Sequence, residues 1–436
     1  MFTIWGRRQP HCDGVTRRNF LQIGAFGSVS LAAMLRARAA GAETRGLTAG
    51  GSPTTTTPKA AIMIYLPGGP SHMDMYDLKP DAPKEFRGEF NPIATNVAGV
   101  QICEHMPRQA AMWDKLSVIR SVVSVDEHSD SLVMTGYSEQ TNRSAHHPSF
   151  GSVVSKLRVG QANDVPPYVS LRGMSPGTEP GFLGVAHRPF TPDGQGLRNL
   201  RQNDSVTASR MNDRKELLDK VDSIQRDVDA SGTMKGMDSF NVRAFDMISS
   251  GTARRALDLN REEPRTRDRY KGIEQFLTAR RLVEAGVGCV TPSYGGWDTH
   301  GANFKTLKRQ LPELDRGIAC LIQDLHDRGM QDDVVTVVWG EFGRTPKINN
   351  SDGGGRDHWS PVMSAMVAGG GLKMGQAIGM TTSRGELPKD RRYTAPQVLA
   401  TIYHAMGIDS SMTFASGSGR PMYVLDDRAL VSELVG

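Results

Sequence analysis

From residue 60 onward, short wholly apolar runs alternate with longer amphipathic stretches. Ala61 to Leu66 (AIMIYL) is stopped by Pro67-Gly68-Gly69-Pro70, which predicts a buried strand running into a glycine-rich loop. Pro107 to Lys115 reads as a helix leading into a strand over Leu116 to Val123. Asp268 to Ala285 has helical periodicity and passes through Gly286 into the β-like Cys289-Val290. A longer helix, Asn303 to Arg328, ends at Gly329 before the clearest buried strand, Val334 to Trp339. A last apolar run, Val362 to Ala368, meets a second glycine-rich turn. Helices alternating with strands that are apolar on both faces predict the α/β class: a mostly parallel sheet sandwiched by helices.

The flanking and middle segments break this rhythm. Thr16-Arg17-Arg18-Asn19-Phe20-Leu21 precedes the apolar, small-residue run Ile23 to Leu35, then Ala37-Arg38-Ala39 and Ala40-Gly41-Ala42. A charged region, an apolar region and small-residue cleavage sites make residues 1–42 a signal peptide, and the arginine pair followed by Phe-Leu points to the twin-arginine translocase as its partner. The run falls short of the roughly 20 apolar residues a stable span needs, so no membrane anchor is expected in the mature chain. Residues 43–59, rich in Gly, Thr and Ser, read as a flexible linker, leaving 60–436 as one folded domain. Near 205–264 the chain is polar and helix-prone without strand signals, which predicts a helical insertion.

Charge changes little once the leader is set apart. The formal charge is +5, but residues 1–42 hold six arginines against Asp13, so the rest is near neutral and carries no case for nucleic acid. Beyond Cys12 the cysteines are Cys103, Cys289 and Cys320, too dispersed for a disulfide framework or a paired-cysteine metal site.

Ligands of open α/β sheets bind outside the carboxyl ends of the strands, and the acidic and histidine motifs fall largely there. Ser71-His72-Met73-Asp74 follows the first strand and Asp126-Glu127-His128-Ser129-Asp130 the second. Trp297-Asp298-Thr299-His300 follows the third and Gly340-Glu341-Phe342-Gly343-Arg344 the fourth, while Arg356-Asp357-His358-Trp359 precedes the last. Asp298 and His300, two apart in an extended loop, project to one side and make a divalent-metal set that favours zinc or manganese over calcium. Asp298 also suits an N-cap for the helix near Asn303. Glu341 at a strand end needs a cation or donors, and Arg344 is one such partner. Trp297, Trp339 and Trp359 adjoin these acids and either wall a pocket or fill core.

Together with the Cys12-Asp13-Gly14 to Arg17-Arg18 leader and Gly68-Gly69-Pro70-Ser71-His72-Met73-Asp74, these motifs resemble the domain of unknown function 1501 family, exported proteins related to sulfatases within the alkaline phosphatase superfamily. The resemblance implies that fold and a two-metal hydrolase. On the superfamily pattern Asp74 looks like the first-strand ligand, Asp298 and His300 like the Asp and His of the second metal, and His358 like the distant histidine. Where the pattern has Asp-His-Gly, this chain has Glu341-Phe342-Gly343. Phenylalanine cannot ligate a metal, so that site is weakened or rebuilt around Glu341 and a donor such as His72 or His128. No cysteine stands where sulfatases carry their nucleophile. Asp126 to Gly136 (DEHSDSLVMTG) offers Ser129 or Ser131, which either attack a phosphorus or sulfur centre beside a metal or cap the following helix. Ser149, behind His146-His147-Pro148, is a second candidate cap.

The expected function is an exported, metal-dependent hydrolase of phosphate or sulfate esters on a small molecule or glycan, with Arg344 or Arg356 pairing the anion. A non-catalytic pseudoenzyme that binds an envelope glycan or partner is the alternative, favoured by Phe342 and the missing nucleophile. A mutase is also possible on this fold, since fold alone does not choose a reaction.

Overall fold

The computed structural model describes residues 59–158, 165–175, 177–192 and 251–436. The expected leader, the linker through residue 58 and most of the expected insertion lie outside the described residues. In and just after the described part of that insertion, helix Thr252–Leu257 and helix α1 (Pro264–Arg269) flank a short helical turn at Leu259–Arg261.

The main sheet is built from β1 (Ala60–Tyr65), β2 (Ser117–Val123), β3 (Tyr168–Ser170), β4 (Cys289–Thr291), β5 (Val334–Trp339), β6 (Met363–Gly369), β7 (Ala377–Ile378) and β8 (Tyr393–Thr394). Across the sheet the order is β7-β2-β6-β5-β1-β4-β3, with β8 also paired to β2. β6 runs antiparallel to both neighbours, and every other pair in this sheet is parallel.

β1 and β5 lie at the centre, in register from Ala60 against Val334 to Tyr65 against Trp339, and every residue of both is buried. Alternation then divides their side chains between two cores. Ile62 and Ile64 enter one core with helices α2 (Glu274–Glu284) and α3 (Asn303–Asp327), through Phe276, Leu311 and Ile318. Ala61, Met63 and Tyr65 enter the other, against Phe150 and Val154 from Phe150–Leu157 and Leu399 and Tyr403 from Ala395–Ala405. The sequence reading of one helix over Asp268 to Ala285 is corrected: the chain ends a helix at Arg269 and restarts at Glu274. Gly272, at φ +82°, makes the break, and Glu274 Oε1 accepts its N–H at 2.9 Å.

This topology gathers the site. β1, β2, β4 and β5 are mutually parallel, so their carboxyl ends share one edge of the sheet. The reversed β6 brings its amino end, and the loop before it, to that same edge. A two-strand antiparallel ladder, Gly343–Arg344 with His358–Trp359, then ties the loop after β5 to the loop before β6.

Candidate metal centre

The loop after β4 lies across the loop after β1. Trp297 N donates to Pro67 O at 2.8 Å, and a Cβ on Gly68 would sit 2.6 Å from Asp298 N. On Gly69 a Cβ would meet the Phe342 ring at 2.3 Å. Both glycines hold positive φ, so this close approach requires them. From the other side, Arg356 N donates to Thr299 O at 3.0 Å and Asn303 N to Gly354 O at 2.9 Å. The N-cap of α3 is Ala302, not Asp298, so capping does not explain the aspartate.

Three donor atoms converge in consequence. His300 Nε2 lies 3.0 Å from Asp298 Oδ1, His358 Nε2 lies 3.1 Å from the same oxygen, and the two Nε2 atoms are 3.1 Å apart. His300 Nδ1 is 2.7 Å from Asp357 Oδ1. With its Nδ1–H donated to Asp357, His300 turns the Nε2 lone pair toward an oxygen that can only accept. That arrangement is repulsive unless a cation, either a proton or a metal ion, stands between them. The carboxylate behind the imidazole is the usual orientation of a metal-binding histidine.

Asp298 is held from below by Arg344, whose Nη2 donates to Oδ1 at 2.6 Å. Partial burial opposes ionisation of Asp298, but hydrogen bonds from Arg344 and His358 outweigh it and hold its carboxyl at about 2. The bond from His300 likewise lowers Asp357, against a smaller burial effect. His358 rests on the buried Phe342 ring, centroids 4.3 Å apart, so Phe342 forms an apolar floor where a ligand was expected from the sequence pattern.

The other expected residues have different surroundings. Asp74 is buried in a paired bond with Arg356 (Oδ2 to Nε 2.8 Å, Oδ1 to Nη2 3.0 Å) and accepts Asn303 Nδ2 at 2.9 Å. Glu341 is buried, with Oε2 accepting the Tyr65 hydroxyl and Oε1 the Gly68 N–H, each at 2.8 Å. His72 lies deep in the protein with Nε2 2.9 Å from Gly385 O, and burial lowers its pKa. Ser129 Oγ accepts Ser131 N–H at 3.2 Å. Ser131, buried in the helix Ser131–Thr135, donates its hydroxyl to Tyr137 O at 3.0 Å. The Arg344 guanidinium also serves Gly69 O, Gly68 O and Arg356 O, and that of Arg356 serves Thr345 O, Pro346 O and Phe86 O. Both are completely buried. Trp297 and Trp339 fill core, and Trp359 donates its indole N–H to Glu386 O at 2.8 Å.

His128, which the sequence offered only as a replacement donor, joins the rim of the cluster. Its Nε2 is 4.0 Å from Asp298 Oδ2 and its Nδ1 3.4 Å from Glu341 Oε1. Asp357 was missed as a partner of His300; its place next to His358 was visible only as the motif Arg356-Asp357-His358. Cys103, Cys289 and Cys320 are buried. No helix among the described residues is long and apolar enough to cross a membrane.

Among solved structures, Ps i-CgsB overlaps 81% of this chain and 73% of its own, at 12% identity and a TM-score of 0.36. The lipoteichoic acid synthase LtaP from Listeria monocytogenes overlaps 82% of this chain and 74% of its own, at 11% identity and a TM-score of 0.32. No curated protein was found to match the sequence. Residues 58–435 match the family described as Protein of unknown function (DUF1501), and the chain belongs to that family.

Proposed function

We propose that this protein is a metal-dependent hydrolase of phosphate or sulfate esters, acting outside the cytoplasm on a small-molecule or glycan ester. The observation that carries the reading is the convergence of Asp298 Oδ1, His300 Nε2 and His358 Nε2 within 3.1 Å of one another, with Asp357 orienting His300. An aspartate and two imidazoles suit zinc or manganese. Three protein ligands leave a position for a further donor, and expansion to five-coordination admits solvent or substrate.

Bound there, the ion would supply Lewis-acid stabilisation of charge on the transferring group. The chain's own residues set the geometry for it. Arg344 fixes Asp298 and keeps it ionised; Asp357 fixes the His300 tautomer; Phe342 supports His358 and excludes water from below. The serines and buried arginines already have protein partners, so attack and anion binding fall to groups on the open side of the cluster. The leader in residues 1–42 supports export in a folded state through the twin-arginine route, with the ion loaded beforehand.

The test is metal content of the purified mature protein by elemental analysis, for wild type and Asp298→Ala, alongside a phosphatase and sulfatase ester screen. Stoichiometric zinc or manganese in wild type, lost in the variant, is expected. A folded wild-type protein that stays metal-free after refilling overturns the reading. A second reading, a pseudoenzyme that binds an envelope glycan or partner, is favoured by the engagement of Ser129, Ser131, Arg344 and Arg356 within the protein. Retention of the cellular role by Asp298→Ala would select it.

A further inference from the structure

We infer that His128 is the fourth protein ligand of a single-ion centre and that the buried Glu341 is the residue that positions it. This rests on the metal reading above and extends it to the number of ions and to a loop outside the Asp298–His358 cluster.

The loop after β2 carries His128 to the open face of the cluster. Asp298 presents two oxygens: Oδ1 accepts from Arg344 and faces the Nε2 atoms of His300 and His358, and Oδ2 faces His128 Nε2 at 4.0 Å. Ligand-capable atoms of His128, Asp298 and His358 all lie within 4.8 Å of one another. Donors about 2.0–2.1 Å from a tetrahedral zinc stand about 3.4 Å apart. His128 Nε2 and Asp298 Oδ2 therefore have to close by about 0.6 Å to share such an ion. The Phe342 ring lies under both His128 and His358, at 5.6 and 4.3 Å between centroids, and gives the two imidazoles a shared floor.

An independent observation comes from the far side of the ring. Glu341, about 1% exposed, faces His128 Nδ1 at 3.4 Å and is itself fixed by the Tyr65 hydroxyl and the Gly68 N–H. Glu341 thus stands behind the His128 ring as Asp357 stands behind His300, but from a buried position and at 3.4 Å rather than 2.7 Å. A carboxylate behind the outer nitrogen is how proteins orient a ligating imidazole. Glu341 thereby acts through His128.

The remaining nearby acids do not assemble a second ion site. Arg356 and Asn303 engage both oxygens of Asp74, and Asp130 Oδ2 binds Arg172 and Ser175 at 2.5 and 2.6 Å. Of the other acids beside the cluster among the described residues, Asp357 is engaged by His300 and Asn349, and Glu341 lies behind His128. One ion per chain follows.

Cobalt(II) alone tests this, because its visible absorption is strong in four-coordinate sites and weak when water raises the coordination number. Wild type should bind one cobalt per chain, and His300→Ala should lose it. His128→Ala should keep the fold, since that side chain is more than half exposed, yet bind cobalt at least tenfold more weakly with a fainter visible band. Glu341→Gln should move both readouts the same way by a smaller amount. Cobalt bound to wild type and to His128→Ala with equal affinity and the same spectrum refutes His128 as a ligand while sparing the centre itself. Two ions per wild-type chain refute the single-ion claim. Wild-type protein that takes up no cobalt sinks the metal reading and this inference together.

Discussion

Two aspartates in neighbouring loops, each gripped by a buried arginine, end in opposite roles. Asp74 is about 1% exposed and turns both oxygens inward, to Arg356 and Asn303. Asp298 is 47% exposed at its side chain; one oxygen is shared between Arg344 and the imidazoles of His300 and His358, and the other lies at the open face beside His128. An arginine partner therefore does not mark a structural carboxylate. What separates the two is whether any acceptor capacity remains, and which other donors point at it. Asp74 is surrounded by groups that donate; Asp298 shares its space with imidazole nitrogens, one of them oriented to present a lone pair.

The sharpest way to break this comparison is to remove the aspartates one at a time. Asp74→Ala strands the Arg356 guanidinium among carbonyl oxygens in a water-free interior, and loss of one member of a buried pair costs about 3–5 kcal/mol. Denaturant unfolding should show that loss with a smaller change in Asp298→Ala: each arginine keeps three carbonyl partners, but only the space left by the half-exposed Asp298 opens to solvent. Equal destabilisation of the two variants would erase the distinction. A smaller effect is expected at Asp357→Asn, which keeps the shape but weakens the grip on His300. Metal affinity should fall about 10–100-fold, as for other partners behind a ligand, with unfolding of the metal-free protein little changed. An unaltered affinity would place Asp357 outside the centre.

The sequence made the strands readable and the partners of the side chains only partly so. Val334 to Trp339 and Ala61 to Leu66 are apolar without interruption because both faces of a central parallel strand are covered. Tyr168–Ser170 and Ala377–Ile378 are too short for such a pattern to show. The reversed direction of β6 leaves no mark in its composition, yet it is what carries Asp357 and His358 to the shared edge. Asp298, His300 and His358 are the expected metal residues that the fold brings together. Asp74 and Glu341 carry the same chemistry in sequence, and only the placement of Arg356, Asn303 and Tyr65, far away along the chain, turns them into internal acceptors. Burial by distant residues has no local signal.

The smallest expected effect concerns acid. Asp298 has its carboxyl held near 2, below the ordinary value of 3.8, because Arg344 and His358 outweigh the burial that would raise it. A depressed folded pKa adds stability that is fully present above the unfolded value and disappears as pH falls through the folded one. In metal-free protein, the stability difference between wild type and Asp298→Asn should thus shrink as pH falls from about 4 to about 2. Half-exposed charges are screened by solvent, so the difference should stay within about 1 kcal/mol. Titrating groups that do not touch Asp298 are common to both proteins and cancel in the subtraction; His300 and His358 are coupled to it, which confines the comparison to the acid range. A difference that does not depend on pH would mean that Arg344 gains as much from an amide oxygen as from a charged one, and that Asp298 owes its ionised state to the cluster above it.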